Sequence, residues 1–458
     1  MKYPIGSRIV DAVYTEQKRA ISRGNPLVEA LPDNPDDREL INSLLVDIPM
    51  DEMDGPGEIY ERKECIQDLT HVFIPIGQML EVSRKVMLSI KEGYITRNPL
   101  NERFRQDIGA LQRAAARRDS SFRSIPGTNA NSCGFCLIGD SGMGKTSVIN
   151  HTLSLIPQVI EHTSYHGSPF AETQLVWLKI ECPHDASIKG LCIDFFTEYD
   201  LAINDNTRQR FATGRANQDD MISNMAYLAR RKHLGLLVID EIQHISSAKA
   251  GGAQRMKNLL TQLVNKLGIP IILVGTPAAI AILSTDLITI RRSCGQLGLS
   301  YLRALGCDTL EWDTFLKRIW KYQWVRKRAD RSRELTDLIH DYTKGNLDAT
   351  IKLFMETQRI AIDTGVEEIN KETIRMAAQS QAFNLVLKEI SRESKAAENI
   401  KKNGKSNDGA IAALLTIEAQ MQADEKRAHI VARPKRANGT DIEKSLNDLQ
   451  YVSEHDEY

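Results

Sequence analysis

The chain has 458 residues, of which 42% are hydrophobic and 26% are charged, and its formal net charge is −1. These values are typical of a soluble globular protein with two or three domains that have cores of their own. Because the charges are balanced, the composition gives no indication of a nucleic-acid partner, and any DNA contact must come from local basic patches.

No stretch of the sequence predicts a secretory signal or a membrane span. The longest apolar run, residues 269–283, is interrupted by Pro270, Gly275 and Pro277, so it predicts a buried strand followed by a helix. The seven cysteines are scattered, as expected in a reducing cytosol. We therefore expect a cytoplasmic protein without membrane contact.

A glycine-rich motif follows the apolar run at residues 133–138. It fits the spacing G-x-x-x-x-G-K-[ST], and the helix-like residues 147–156 come after it. In such a loop, backbone N–H groups and a lysine bind nucleotide phosphates, and the threonine hydroxyl binds Mg²⁺. The alternative, a plain glycine-rich turn, does not require the flanking strand and helix. The predicted nucleotide-binding residues are Gly139, Asp140, Ser141, Gly142, Met143, Gly144, Lys145, Thr146 and Ser147.

Apolar runs predict the strands of an α/β fold. They lie at residues 133–138, 175–181, 235–240, 269–275 and 307–312. Continuous apolar strands separated by helical stretches predict a five-stranded parallel sheet that is covered on both faces, with the ligand at the carboxyl ends of the strands. Helical patterns from residue 314 to about residue 383 predict a small all-α lid domain.

Two acidic residues end the third predicted strand. Asp240 is expected to hold the water shell of Mg²⁺ together with Thr146, and Glu241 is expected to polarise the water that attacks ATP. The alternative is a surface Asp-Glu pair, which the four apolar residues before Asp240 disfavour. Asp240 is therefore predicted both as a nucleotide-binding residue and as a metal ligand.

Further catalytic candidates rest on a resemblance to AAA+ ATPases. Thr276 follows the fourth predicted strand, where AAA+ proteins keep a polar sensor of the γ-phosphate. Arg291 and Arg292 lie in the segment that carries an arginine finger into a neighbouring subunit in those proteins. A finger supplied in trans makes hydrolysis depend on assembly. The alternative for this arginine pair is a solvated helix end.

Five stretches resemble one particular family. They are residues 12–14, 25–32, 93–99, 235–244 and 275–277, and the string Asp-Glu-Ile-Gln-His within 235–244 is the most specific. They are similar to TnsC, the AAA+ regulator of target-selecting bacterial cut-and-paste transposons, and the similarity extends to about residue 380. The resemblance implies an ATPase that oligomerises on duplex DNA as a ring or filament. It also implies two protein partners, a target-selector protein and the transposase subunits.

The predicted domains follow from these observations. They are an N-terminal extension (1–90), an AAA+ α/β ATPase domain (91–313), a helical lid domain (314–385) and a flexible C-terminal tail (386–458). The predicted DNA contacts, on loops or helix starts that could face a central channel, are Lys189, Arg208, Arg215 and Lys249.

The lid departs from the AAA+ pattern at one position. Many AAA+ lids carry an arginine that touches the γ-phosphate, whereas this sequence has Asp348 there and Lys352 one turn later as the only nearby cation. The lid also has a basic run between residues 317 and 328. Its helical spacing favours packing of Trp320 and Trp324 in the core over contact with nucleic acid.

Two other functions remain open from the sequence. A signalling or scaffold ATPase would use nucleotide to switch protein partners and would not bind DNA. A motor such as a helicase loader would show strand preference or translocation. Retention on random duplex DNA that is stimulated by ATP and weakened by salt distinguishes a DNA-binding regulator from the first of these.

Overall fold

The computed structural model describes residues 2–49, 57–117, 133–185, 187–213, 217–247, 263, 268–279, 297–388 and 390. The strands are β1 (Ile9–Asp11), β2 (Phe135–Gly139), β3 (Val159–Tyr165), β4 (Ser168–Leu175), β5 (Trp177–Glu181), β6 (Leu236–Asp240), β7 (Ile271–Gly275) and β8 (Leu299–Leu302). The helices before residue 240 are α1 (Pro26–Glu29), α2 (Asp37–Leu44), α3 (Ile59–Asp68), α4 (Gly77–Ile95), α5 (Glu102–Ala116), α6 (Lys145–Ser154), α7 (Ile188–Ile203), α8 (Thr207–Phe211) and α9 (Gln218–Arg231). The later helices are α10 (Leu310–Ile319), α11 (Arg333–Thr343), α12 (Leu347–Asp363) and α13 (Lys371–Gln379).

The central sheet has five parallel strands in the order β5-β6-β7-β2-β8. The register places Glu181 beside Asp240 and Ile138 beside Gly275, so the carboxyl ends of these strands lie at one edge. The predicted α/β class with a five-stranded parallel sheet is confirmed.

Both faces of this sheet are buried. Leu236 and Val238 of β6 belong to one hydrophobic core, whereas Leu237 and Ile239 belong to the other. Helices α4 and α6 pack on the first face, and α7 packs against β5 and α9 on the second. Because successive strand residues point to opposite faces, two covered faces require a continuous apolar strand, which is the pattern in the sequence.

The fifth strand was predicted at the wrong place. Residues 307–312 do not form a strand, because Thr309 caps helix α10 by accepting a hydrogen bond from the N–H of Trp312 at 3.2 Å. The acidic residues Glu311 and Asp313 in the first turn favour the positive end of the helix dipole. The fifth strand is β8, which pairs with β2.

The predicted strand at residues 175–181 is also divided in the structure. Leu175 ends β4, which forms an antiparallel hairpin with β3, and β5 begins at Trp177. His166 and Gly167 form the two-residue turn with φ of 47° and 81°, the left-handed region that two-residue hairpin turns require. Strand β1 pairs with β3, so the small sheet has the order β1-β3-β4.

Three of the stretches that resemble TnsC, residues 25–32, 93–99 and 235–244, contact one another. Asn25 donates from Nδ2 to the carbonyl oxygen of Tyr94 at 2.8 Å. The guanidinium of Arg97 donates to the carbonyl oxygens of Gly93, Leu234 and Gly235 at 2.5, 2.6 and 3.4 Å. Burial lowers the pKa of Arg97 to about 10. These hydrogen bonds connect the N-terminal region to the start of β6. The residues that form them are distant from the phosphate loop in sequence.

The helical region after residue 310 packs against the N-terminal region. Arg62 of α3 forms a bidentate ion pair with Glu367, with N–O distances of 2.7 and 2.8 Å, and donates to the carbonyl oxygen of Trp324 at 3.0 Å. Trp320 and Trp324 are buried, which confirms the packing interpretation. None of the described helices combines the length and the apolar character needed to cross a membrane.

Candidate nucleotide-binding site

The phosphate loop connects β2 to α6 in the conformation that its glycines permit. Gly142 and Gly144 have φ of 78° and 77°, in the left-handed region that side chains with a Cβ rarely adopt. A Cβ on Gly142 would also lie 2.6 Å from Oδ1 of Asn346. Any larger residue here would therefore strain the loop and push away the helical region.

Lys145 folds back over the loop. Its side chain is buried, and Nζ donates to the carbonyl oxygen of Asp140 at 2.9 Å. Burial raises the pKa of Asp140, and the Lys145 ammonium opposes this effect. Gly144, the N-cap of α6, offers no side-chain cap, so the first backbone N–H groups of the helix remain available, together with the lysine, to bind an anion.

Thr146 and Asp240 meet at the carboxyl edge of the sheet. The Oγ1 of Thr146 donates to Oδ2 of Asp240 at 3.0 Å, and Asp240 is only 2% exposed. A hydroxyl and a carboxylate are hard oxygen ligands that suit Mg²⁺, which usually binds to one or two protein groups plus phosphates and water. This pair fits the metal that the sequence predicts. Among the described residues, no group of three or more His, Cys, Asp or Glu side chains could hold a metal ion.

Glu241 is held by its neighbours in an unusual conformation. Its φ is 58°, and its backbone N–H donates to Oδ1 of Asp240 at 2.9 Å. The Nε2 of Gln243 donates to the Glu241 carboxylate, and Oε1 of Gln243 accepts from the backbone N–H of Thr276 at 3.1 Å. Gln243 thus connects the end of β6 to the end of β7. The sequence singled out this glutamine only as part of a family-specific string.

Thr276 follows β7 and has a buried hydroxyl. It is 3% exposed, and its Oγ1 has no hydrogen-bond partner among the described residues. A buried hydroxyl without a partner is destabilising by roughly 1–3 kcal/mol, so such groups are retained where a ligand or water satisfies them. This hydroxyl fits a phosphate oxygen as its partner.

The helical region contacts the phosphate loop directly. Asn346 donates from Nδ2 to the carbonyl oxygen of Ser141 at 2.8 Å, and the N–H of Asp348 donates to the carbonyl oxygen of Gly142 at 3.1 Å. Lys352 forms an ion pair with Asp348 at 2.7 Å. At the position where AAA+ lids carry an arginine, this chain therefore has a carboxylate that is paired with the nearby lysine.

The remaining predicted site residues lie partly beside the phosphate loop and partly elsewhere. Gly139 ends β2, Met143 lies in the loop and Ser147 lies in the first turn of α6. Lys189, at the start of α7, donates from Nζ to the carbonyl oxygen of Thr213 at 3.5 Å, and Arg208 is exposed on α8. Arg215, Lys249, Arg291 and Arg292 lie outside the described residues, as does nearly all of the predicted tail.

Comparisons with known proteins identify the type of domain. Residues 131–283 match the family model described as an AAA domain. The structure of the Aeropyrum pernix ORC2 protein in ADPNP and ADP complexes is 17% identical over 61% of this chain and 68% of that chain, with a TM-score of 0.37. Cdc6p of Pyrobaculum aerophilum is 16% identical over 62% and 70%, with a TM-score of 0.37. The RuvB Holliday junction branch migration motor of Thermotoga maritima is 14% identical over 60% and 66%, with a TM-score of 0.30.

TM-scores this low carry no functional conclusion, and no curated protein matches the chain. The domain assignment rests on the family model and on the parallel sheet with its phosphate loop. The described residues therefore have the AAA+ P-loop fold, and residues 131–283 contain its AAA domain.

Proposed function

We propose that this chain is an ATPase that binds duplex DNA in an ATP-dependent manner and regulates DNA transposition. The observation that carries the ATPase assignment is the convergence of Lys145, Thr146, Asp240, Glu241 and Thr276 at the carboxyl edge of one parallel sheet. In open α/β sheets, ligands bind at this edge.

The residues of the loop bind ATP in this proposal. Backbone N–H groups of residues 139–147 and the Lys145 ammonium neutralise the phosphates, and Thr276 donates its hydroxyl to the γ-phosphate. Thr146 and Asp240 would hold Mg²⁺. When bound, the ion draws negative charge from the phosphate oxygens. Adenine specificity is part of the proposal and rests on the AAA+ fold.

Glu241 acts in the hydrolytic step. Its carboxylate accepts a proton from the attacking water while the water oxygen bonds to the γ-phosphorus, and the bond to the bridging oxygen breaks so that ADP leaves with the electron pair. Gln243 holds the Glu241 carboxylate through its amide. Arg291 or Arg292 would come from a neighbouring subunit and stabilise the transferring phosphoryl group.

The DNA and transposition parts of the proposal rest on the sequence resemblance to TnsC. In this proposal the chain assembles as a homo-oligomer on duplex DNA. The DNA phosphates are contacted by Lys189, Arg208, Arg215 and Lys249. The protein partners are a target-selector protein and transposase subunits. The proposal also includes the domain boundaries given above and a cytoplasmic location. Phosphate contacts alone would suit a regulator that is sent to varied target sites.

Filter retention of a random duplex, with and without ATP, tests the DNA-binding part. We expect ATP to stimulate retention, and we expect the logarithm of the binding constant to fall linearly with the logarithm of the salt concentration, because cationic side chains that bind phosphates release counterions from the DNA. Nucleotide binding without any DNA retention would favour the alternative, a signalling ATPase that switches protein partners. Failure to bind ATP would contradict the central assignment.

A further inference from the structure

Lys179 contacts the carboxylate that is proposed to bind the metal. It lies within β5, beside Val238 of β6, and its Nζ is 3.1 Å from Oδ2 of Asp240. The same Nζ donates to Oδ1 of Asn150 on α6 at 2.9 Å. The lysine side chain is 17% exposed, so its charge is poorly screened by solvent.

The lysine shares one oxygen atom with Thr146. Both the Thr146 hydroxyl and the Lys179 ammonium are directed at Oδ2 of Asp240, at 3.0 and 3.1 Å. A divalent ion held by Thr146 and Asp240 would therefore lie close to a fixed positive charge. At short range and in a partly buried site, repulsion between like charges is far larger than in bulk water.

We propose that Lys179 is a positioning residue that sets the metal affinity of the site and makes tight metal binding conditional on nucleotide. Its ammonium holds the Asp240 carboxylate toward Thr146 and lowers the affinity for a divalent cation. The phosphates of a bound nucleotide offset the charge of Lys179, so the metal and the nucleotide bind with strong mutual coupling. This inference rests on the proposed ATP site.

A purely structural role for Lys179 gives a different expectation. If the lysine only connects β5 to α6 through Asn150, then Lys179→Met and Asn150→Ala should have similar effects. If its charge on Asp240 is what matters, Asn150→Ala should leave metal affinity nearly unchanged, and Lys179→Arg should retain the wild-type behaviour because it keeps the positive charge.

The test is a titration of the full-length protein with Mn²⁺, which accepts the same oxygen ligands as Mg²⁺ and is detected directly by electron paramagnetic resonance. Dissociation constants are measured with and without a non-hydrolysable ATP analogue. We expect Lys179→Met to bind Mn²⁺ at least about tenfold more tightly without nucleotide, because a divalent ion and an ammonium a few ångströms apart repel by about that much even in bulk water and repel more strongly in a partly buried site. The increase in Mn²⁺ affinity caused by the analogue should shrink by the same factor.

The control is Lys63→Met, which removes a lysine from the exposed ion pair with Asp363 on the surface. Thermal unfolding verifies that each variant is folded, and Lys179→Gln replaces Lys179→Met if the latter does not fold. Unchanged or weaker Mn²⁺ binding in a folded, uncharged variant overturns the inference while leaving the ATP site intact. Absence of Mn²⁺-dependent analogue binding in the wild type overturns the proposed function itself, and this inference with it.

Discussion

The side-chain Nδ2 of Asn346 lies 2.8 Å from the carbonyl oxygen of Ser141, so the helical region is hydrogen-bonded to the phosphate loop. Asn346 is also the N-cap of α12, because its Oδ1 accepts a hydrogen bond from the N–H of Ala349 at 3.1 Å. One side chain therefore begins helix α12 and attaches that helix to the loop that is proposed to bind ATP.

Asn346→Ala should separate these two roles when it is compared with Asn370→Ala. Asn370 caps a different helix, α13, by accepting hydrogen bonds from the N–H groups of Glu372 and Thr373. Each substitution should lower the free energy of unfolding by about 1 kcal/mol, the usual effect of losing an N-cap. Only Asn346→Ala should also change the affinity for ATP, measured with a fluorescent analogue. Equal ATP affinities in the two variants would contradict a role of the contact in nucleotide binding.

Lys145→Ala should remove the cation that binds the phosphates and abolish ATP-dependent assembly on DNA. A hydrogen bond to a charged group contributes about 1.5–3 kcal/mol, so ATP affinity should fall by roughly 10- to 150-fold. Lys352→Ala is the matched control, because Lys352 is paired with Asp348 beside the same loop. Isothermal titration calorimetry gives both affinities. An Lys145→Ala protein that still assembles only when ATP is added would show that the lysine has been misassigned.

Glu241→Gln should keep ATP binding and stop hydrolysis, because Lys145, Thr146 and Asp240 remain while the proton acceptor is lost. If hydrolysis times the release of DNA, the variant should dissociate from DNA far more slowly than the wild type in excess ATP. The wild type with a non-hydrolysable analogue should dissociate equally slowly, which serves as the control. Equal off-rates for the wild type and the variant in ATP would show that hydrolysis does not control the release of DNA.

Gln243→Leu should lower kcat with little change in KM. The substitution removes the hydrogen bonds to the Glu241 carboxylate and to the Thr276 N–H, and loss of such supporting partners typically reduces activity by about 10- to 100-fold. Gln243→Glu should be similarly impaired, because an ionised carboxylate cannot donate to Glu241. Gln67→Leu, which removes a surface partner of Arg359, is the control. A change confined to KM would indicate a role in binding only.

Glu367→Ala should destabilise the protein in a pH-dependent manner. The hydrogen bond from Arg62 is the main cause of the lowered pKa of Glu367. Removal of the Glu367 carboxylate leaves the buried guanidinium of Arg62 without its ion-pair partner, which is destabilising by roughly 3–5 kcal/mol. Because the pKa of the folded state lies below the usual value of 4.5, this stabilisation is complete above that pH and is lost as the pH falls through the folded pKa.

Urea unfolding at pH 7 and in the acid range measures the difference between the wild type and Glu367→Ala. The difference should be full at neutral pH and should shrink in acid, where both residues at this position are uncharged. Asp363→Ala removes the exposed partner of Lys63, which neighbours Arg62 on α3, and should have little effect at either pH. A difference that does not depend on pH would show that the ion pair does not stabilise the fold.

Several parts of this protein could be predicted from short segments of its sequence. The phosphate loop was predictable because its glycines, lysine and threonine act within a short segment, and Gly142 and Gly144 have the positive φ angles for which glycine is required. The inner strands were predictable because burial on both faces demands continuous apolar residues. Asp240 and Glu241 were identified because they end such a run.

The position of the fifth strand could not be predicted from local patterns, because the true strand is short and its apolar pattern is weak. Strand β8 has four residues and is only partly buried, so its apolar pattern is weak. The segment at 307–312 was predicted as a strand, although Thr309 followed by Trp312, Phe315, Leu316 and Ile319 has the cap and the apolar spacing of a helix. Here the helical period, which extends beyond the predicted strand, was the informative signal.

The contacts between side chains in the site depend on how distant segments of the chain pack together. Gln243 and Thr276 are neighbours because β6 and β7 are adjacent, and Lys179 reaches Asp240 because β5 lies on the other side of β6. The contact of Asn346 with Ser141 joins residues 205 positions apart. Strand order and the docking of the helical region follow from packing between distant segments, and no local pattern of residue types encodes them.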